Sequence, residues 1–131
     1  MPEMARDIIK TDLAPKPIGP YSAGVKTTAF IFTAGQLGIL PTTGNIIEGG
    51  IANETRQALQ NIKQILETAG SSMDLIVKTT VFIRDMKEFS LMNAVYAEFF
   101  QENFPARTTV QAAALPKGAA VEIEAIALAG S

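Results

Sequence analysis

More of this chain reads as strand with two apolar faces than its two helical segments can cover. Successive side chains of a strand point to opposite faces, so burial on one side alone produces apolar–polar alternation. The segment from Leu75 to Ile83 departs from that pattern: Leu75, Val77, Val81 and Ile83 fall on one face, Ile76 and Phe82 on the other. Phe30-Ile31-Phe32 does the same, and so does the last segment, where Ile126 and Leu128 oppose Ile123. Helical spacing occurs twice. Ile51, Thr55, Ala58, Leu59, Ile62, Ile65, Leu66 and Ala69 recur at i, i+3, i+4, with Asn53, Glu54, Arg56, Gln57, Gln60, Lys63, Gln64 and Glu67 on the other side and Gly70 as the stop. The second helix opens at Asp85, with Glu88 in capping-box spacing. It buries Phe89, Met92, Tyr96, Phe99 and Phe100 and ends near Asn103, because Pro105 cannot continue it. Two helices cover one face of a sheet. The other face would expose more apolar area than soluble monomers carry, so other subunits are expected to bury it.

The remaining segments complete the order. Asp7–Lys10 is a short first strand, and Ala14–Pro20 holds three prolines and reads as a connector. Tyr21–Lys26 and Phe30–Gly35 form a hairpin, and Leu40–Gly50 is loop. The strand Thr108–Ala114, a turn at Pro116-Lys117-Gly118 and a strand Val121–Leu128 close the chain. The series β, ββ, α, β, α, ββ predicts an α+β fold: one domain over residues 1–131, with about six strands and both helices on one face.

Composition removes several kinds of chemistry. The chain has no cysteine and no histidine, so disulfides, thiol catalysis, a Ser-His triad and the common zinc ligands are unavailable. No apolar run reaches the roughly 20 residues needed to span a bilayer. The first ten residues show no apolar leader core, which predicts a soluble cytoplasmic protein. Net charge is −2 and the basic residues are scattered, which argues against a nucleic-acid partner.

What remains is acid, amide and guanidinium chemistry. Arg107 follows Pro105 at the start of a strand, and its rigid fork could grip a carboxylate with two parallel bonds or serve a structural ion pair with Glu122 or Glu124. Glu124 shares a face with Ile126 and Leu128, so it is either a solvated edge residue or a perturbed acid/base. Brought together by neighbouring strands, Arg107 and Glu124 would form an acid-recognising pocket. Tyr21 follows a rigid Gly-Pro turn, and Gly35 follows a strand and could offer its N–H to an anion; either has an ordinary structural reading too. Asn93 lies within the second helix, where an asparagine needs no function.

Taken in order, Ile18-Gly19-Pro20-Tyr21-Ser22, Thr33-Ala34-Gly35-Gln36, Val77–Phe82, Asn93-Ala94-Val95-Tyr96, Phe104–Thr108 and Glu122–Ala127 resemble the reactive intermediate deaminase (YjgF-type) family, RidA subgroup. The resemblance runs from about Gly19 to Ala127. It implies a chorismate-mutase-like domain assembled as a homotrimer, with sheets forming a central barrel and ligand clefts between subunits. It implies hydrolysis of 2-imino acids such as 2-iminobutanoate and 2-iminopropanoate to keto acids and ammonia, with no cofactor and no metal. Such imines arise from pyridoxal-phosphate dehydratases and damage other enzymes of that kind. By the same resemblance Arg107 and the Gly35 backbone bind the substrate carboxylate, Glu124 activates water, Tyr21 and Asn93 line the cleft, and the main chain at Thr109 meets the imine nitrogen. Two positions depart from the family pattern: Ala34 stands where serine is frequent, and Thr109 where cysteine is. A non-catalytic binder of small keto or amino acids is the competing reading; RNA cleavage fits the residues poorly.

Overall fold

A computed structural model describes residues 5–130 of the chain. Strands β1 (Asp7–Ile9), β2 (Gly24–Lys26), β3 (Phe30–Thr33), β4 (Ile76–Ile83), β5 (Ala106–Gln111) and β6 (Val121–Leu128) form one mixed sheet in the order β1-β2-β3-β6-β4-β5. Only β4 and β5 run parallel, and α2 (Phe89–Ala97) lies between them in the chain; every other pairing is antiparallel. The long helix α1 (Ile51–Thr68) packs on β6 and β3 and against α2. The expected α+β sheet with both helices on one face is the fold observed.

Alternation along the strands sets the two faces. Val121, Ile123, Ala125 and Ala127 of β6, Thr79, Val81 and Ile83 of β4, and Ile31 of β3 turn toward the helices and are buried. They meet Ile51, Ala58, Leu59, Ile62, Ile65 and Leu66 of α1 and Met92 and Tyr96 of α2. The opposite face carries Phe30, Phe32, Val110 and Leu128, each about two-fifths exposed, and Phe30 and Phe32 lean on each other at 6.4 Å between centroids.

β4 departs from the expected parity. Its ladder with β6 slips between Ile76 and Lys78, so Ile76 pairs with Ala127 and Lys78 with Ile126. The extra residue, Val77, is exposed, while Ile76 joins the core with Val81 and Ile83. A bulge inverts the in–out phase on one side of it, which periodicity read from sequence alone cannot detect.

Several boundaries also move. β2 begins at Gly24, leaving Tyr21 in the preceding turn. α2 is nine residues long and gives way to turns before Asn103. Asp85 accepts a hydrogen bond from the Lys87 N–H, but Glu88 reaches Arg84 at 3.5 Å, so the reciprocal capping box does not form. β5 starts at Ala106, which puts Arg107 inside the strand. On α1, Glu54 was expected on the solvated side and is 7% exposed.

Candidate functional site

β5 and β6 are not neighbours, because β4 lies between them. Their register places Arg107 beside Thr79 on the helix side and Glu124 beside Thr80 on the open side. The sheet itself therefore keeps Arg107 and Glu124 of one chain apart. The pocket expected from adjacent strands within a protomer does not exist, and the candidate residues form two separate clusters.

The first cluster is built on Arg107. β5 is an edge strand, and on its helix side Arg107 meets Phe89 and Tyr96 of α2. The guanidinium carbon sits 4.7 Å from the Tyr96 ring centroid and 5.5 Å from that of Phe89. Tyr96 cannot swing away, because its hydroxyl shares a buried 2.7 Å hydrogen bond with the Thr79 hydroxyl. Burial pushes the Tyr96 phenol above its ordinary range, against the opposing pull of the Thr79 bond and the Arg107 charge, so the ring stays neutral. Arg107 forms no ion pair with Glu122, Glu124 or any other described carboxylate; the described ion pairs are Arg56–Glu98 and Arg84–Glu88. Asn93, Tyr96, Ala97, Phe104, Pro105 and Arg107 line an open depression of ≈ 380 Å³. Thr109 follows on the same face of β5, and its buried hydroxyl has no hydrogen-bond partner among the described residues. This is a platform that presents a guanidinium fork to an open depression.

The second cluster lies on the open face of β6. Glu122 folds against Gly35 so closely that a Cβ on Gly35 would stand 2.8 Å from its carboxyl carbon and 2.9 Å from Oε2. The approach is held by a pair of backbone bonds between Gln36 and Ile123, at 2.7 and 3.0 Å. The Gly35 N–H has no acceptor among the described residues. Tyr21, Ile18, Gly35, Gln36, Leu37 and Glu122 help line a crevice of only ≈ 40 Å³, room for a few waters at most. The Tyr21 ring stands over its entrance half exposed, its hydroxyl accepting from the Ile18 N–H at 3.2 Å. Burial raises the Glu122 pKa above its ordinary value, and the charge of nearby Glu124 raises it further. Glu124, two residues along the same face, does not line the crevice.

Tyr21 and Gly35 are thus brought together, as are Asn93 and Arg107, while Thr109 shares only the strand face of Arg107. Glu122 joins the first pair in place of Glu124. The sequence singled out Glu124, which shares one strand face with Glu122; the Gln36–Ile123 bridge sets Glu122 against Gly35. Thr79 and Tyr96, which hold Arg107 in place, read from the sequence as a strand residue and a core aromatic.

A single sheet with two helices on one side, an arginine without an ion-pair partner among the described residues at one edge, and a glycine–glutamate crevice on the far face define a small α+β domain whose candidate site residues fall in two separate clusters. Sequence comparison then fixes the family. The chain belongs to the endoribonuclease L-PSP family, the YjgF/Rid proteins, whose model matches residues 11–129. A RutC family protein of Pyrococcus horikoshii is 52% identical over 122 residues, covering 93% of this chain and 97% of that one. The 2-iminobutanoate/2-iminopropanoate deaminase of Bos taurus is 49% identical over 130 residues, covering 99% and 95%. The crystal structure of Escherichia coli TdcF with bound serine superposes with a TM-score of 0.90 at 44% identity, covering 93% of this chain and 98% of that one. No helix among the described residues is long and apolar enough to cross a membrane.

Proposed function

We propose that this protein is a cytoplasmic homotrimeric deaminase that hydrolyses 2-imino acids, of the 2-iminobutanoate and 2-iminopropanoate type, to 2-keto acids and ammonia. The observation that carries the reading is Arg107: a guanidinium fixed over an aromatic ring, without a carboxylate partner among the described residues, in an open depression. Its fork suits a planar carboxylate. The curated relatives that act on 2-imino acids span nearly the whole chain, and a relative that holds serine, a small α-substituted acid, shares the fold.

Neither half-site encloses a ligand alone. The apolar open face and the unpaired outer edge of β5 support packing against further copies, which would bring the Arg107 platform of one protomer to the Gly35–Glu122 crevice of the next. In that cleft Arg107 and the Gly35 N–H hold the substrate carboxylate, Asn93 and Tyr21 flank the chain, and the backbone beside Thr109 faces the imine nitrogen. Glu122 is the acid/base group, with Glu124 raising its pKa. As water adds to C2 of the protonated imine, one water proton passes to the Glu122 carboxylate and a neutral carbinolamine forms. When its C–N bond breaks, Glu122 returns that proton to the departing nitrogen and its freed carboxylate takes the remaining hydroxyl proton, which then passes to the ammonia, leaving keto acid and ammonium. Free imines already hydrolyse in water, so positioning and one acid/base group are sufficient. RNA cleavage lies outside this reading, since the chain has no histidine and no basic cluster.

The test is ammonia release from freshly generated 2-iminobutanoate by wild type, Arg107→Ala, Glu122→Gln and Glu124→Gln. Arg107→Ala and Glu122→Gln should each lose most turnover, and Glu124→Gln should retain most of it. A keto-acid binder without catalysis would bind ligand in the wild type and release no ammonia above the spontaneous rate.

A further inference from the structure

Helix α1 carries three buried polar side chains that the proposed chemistry does not use, Glu54, Thr55 and Asn61; the Thr55 hydroxyl finds no partner among the described residues, while Glu54 and Asn61, 7% and 1% exposed, are hydrogen-bonded to segments outside the helix. They stand two turns apart and so share one face of the helix. Asn61 reaches two residues that line the Gly35–Glu122 crevice, Leu37 and Ile39, and Glu54 reaches the residue just before β6. Asn61 Nδ2 donates to the carbonyls of Leu37 and Ile39, at 3.2 and 2.9 Å, while its Oδ1 accepts from Gln57 at 2.9 Å. Glu54 Oε1 accepts from the Ala120 N–H at 2.8 Å. Gly38 rests directly on the helix backbone at Glu54, where a Cβ would stand 2.6 Å from the Glu54 Cα.

The segment 35–39 and the start of β6 are thus fastened to the same helix on either side of the Gln36–Ile123 bridge. Ala120 is two residues from Glu122, and Leu37 is two residues from Gly35. A buried acceptor facing a buried N–H is costly to remove and gives a fixed geometry. We propose that Glu54 and Asn61 are positioning residues that set the distance between the Gly35 backbone and the Glu122 carboxylate. This rests on the deaminase reading for its effect on turnover, but its structural half stands apart from it.

Glu54→Ala and Glu54→Gln, with native-state hydrogen exchange alongside kinetics, separate the two. In the wild type the amides of Gln36, Ala120 and Ile123 should exchange as slowly as those of the core strands. Fast exchange there overturns the proposal whether or not any variant folds. In Glu54→Ala those amides should exchange faster, and kcat should fall at least about tenfold with KM little changed, because misplacing a catalytic group costs rate while Arg107 still binds the acid. Glu54→Gln keeps an acceptor and should recover most of the loss. Unchanged exchange, or an equal loss in kcat and in binding, would overturn the assignment. A wild type without deaminase activity refutes the deaminase reading instead, and the exchange result then decides the positioning role by itself.

Discussion

Replacing Arg107 by alanine separates a binding arginine from a structural one. Among the described residues the guanidinium touches two rings and no carboxylate, so its loss leaves no buried charge behind there. A cation over an aromatic ring at a partly exposed site is worth about 0.5–1 kcal/mol. For a domain of this size that corresponds to a fall in Tm of roughly 2–4 °C. Ligand binding should suffer far more. Two parallel bonds to a carboxylate, at about 1.5–3 kcal/mol for each charged hydrogen bond, put the loss near 3 kcal/mol or above. At about 1.4 kcal/mol per decade, affinity for 2-oxobutanoate should fall about a hundredfold or more by titration calorimetry. Arg107→Lys keeps the charge but not the fork and should fall between the two. A variant that binds as tightly as wild type, or one that loses its fold, would refute this reasoning: the first removes the carboxylate contact, the second makes Arg107 a structural residue.

Gly35→Ala should keep the fold and lose activity, because the new methyl meets only the mobile end of Glu122 and pushes that carboxylate out of the crevice; equal kcat and thermal stability in the two proteins would contradict it. Glu122 carries a raised pKa, so the acid limb of kcat/KM should lie above the ordinary 4.5 and move down in Glu124→Gln, read from pH–rate profiles. The same shift sets a stability trend. A raised carboxyl pKa means that the folded state holds the proton more tightly. As pH falls from neutral through the folded pKa toward 4.5, stability should therefore shift in favour of wild type over Glu122→Gln, and then level off below 4.5; a constant difference across that window in denaturant titrations would oppose it. Light scattering should return a trimer, and Phe32→Glu on the open face should yield smaller species; a monomeric wild type would remove the shared cleft.

The fold was largely legible in the sequence because its signals are local. The i, i+3, i+4 repeat of α1 and the doubly apolar strands predict a sheet with helices on one face, and the structure has it. The misreadings are non-local. The bulge at Val77 inverts the phase of β4, and nothing near Val77 announces it. Glu54 was placed on the solvated side of its helix because its partner, the Ala120 N–H, lies 66 residues away. Arg107, Tyr21, Gly35 and Asn93 were picked out as candidates, but their grouping was not. That depends on β4 entering between β5 and β6, and on the Gln36 bridge to Ile123, which turns Glu122 rather than Glu124 toward Gly35.

Two crippled proteins, mixed, address the division of the site between protomers. Arg107→Ala and Glu122→Gln would each be nearly inactive alone. If every cleft takes its arginine from one chain and its glutamate from the next, co-refolding them in equal amounts should restore about a quarter of wild-type ammonia release, since half of the clefts gain each intact residue independently in a cyclic assembly. If mixed assemblies form and release no more ammonia than the separate variants, the two residues do not meet across an interface, and the shared cleft is wrong.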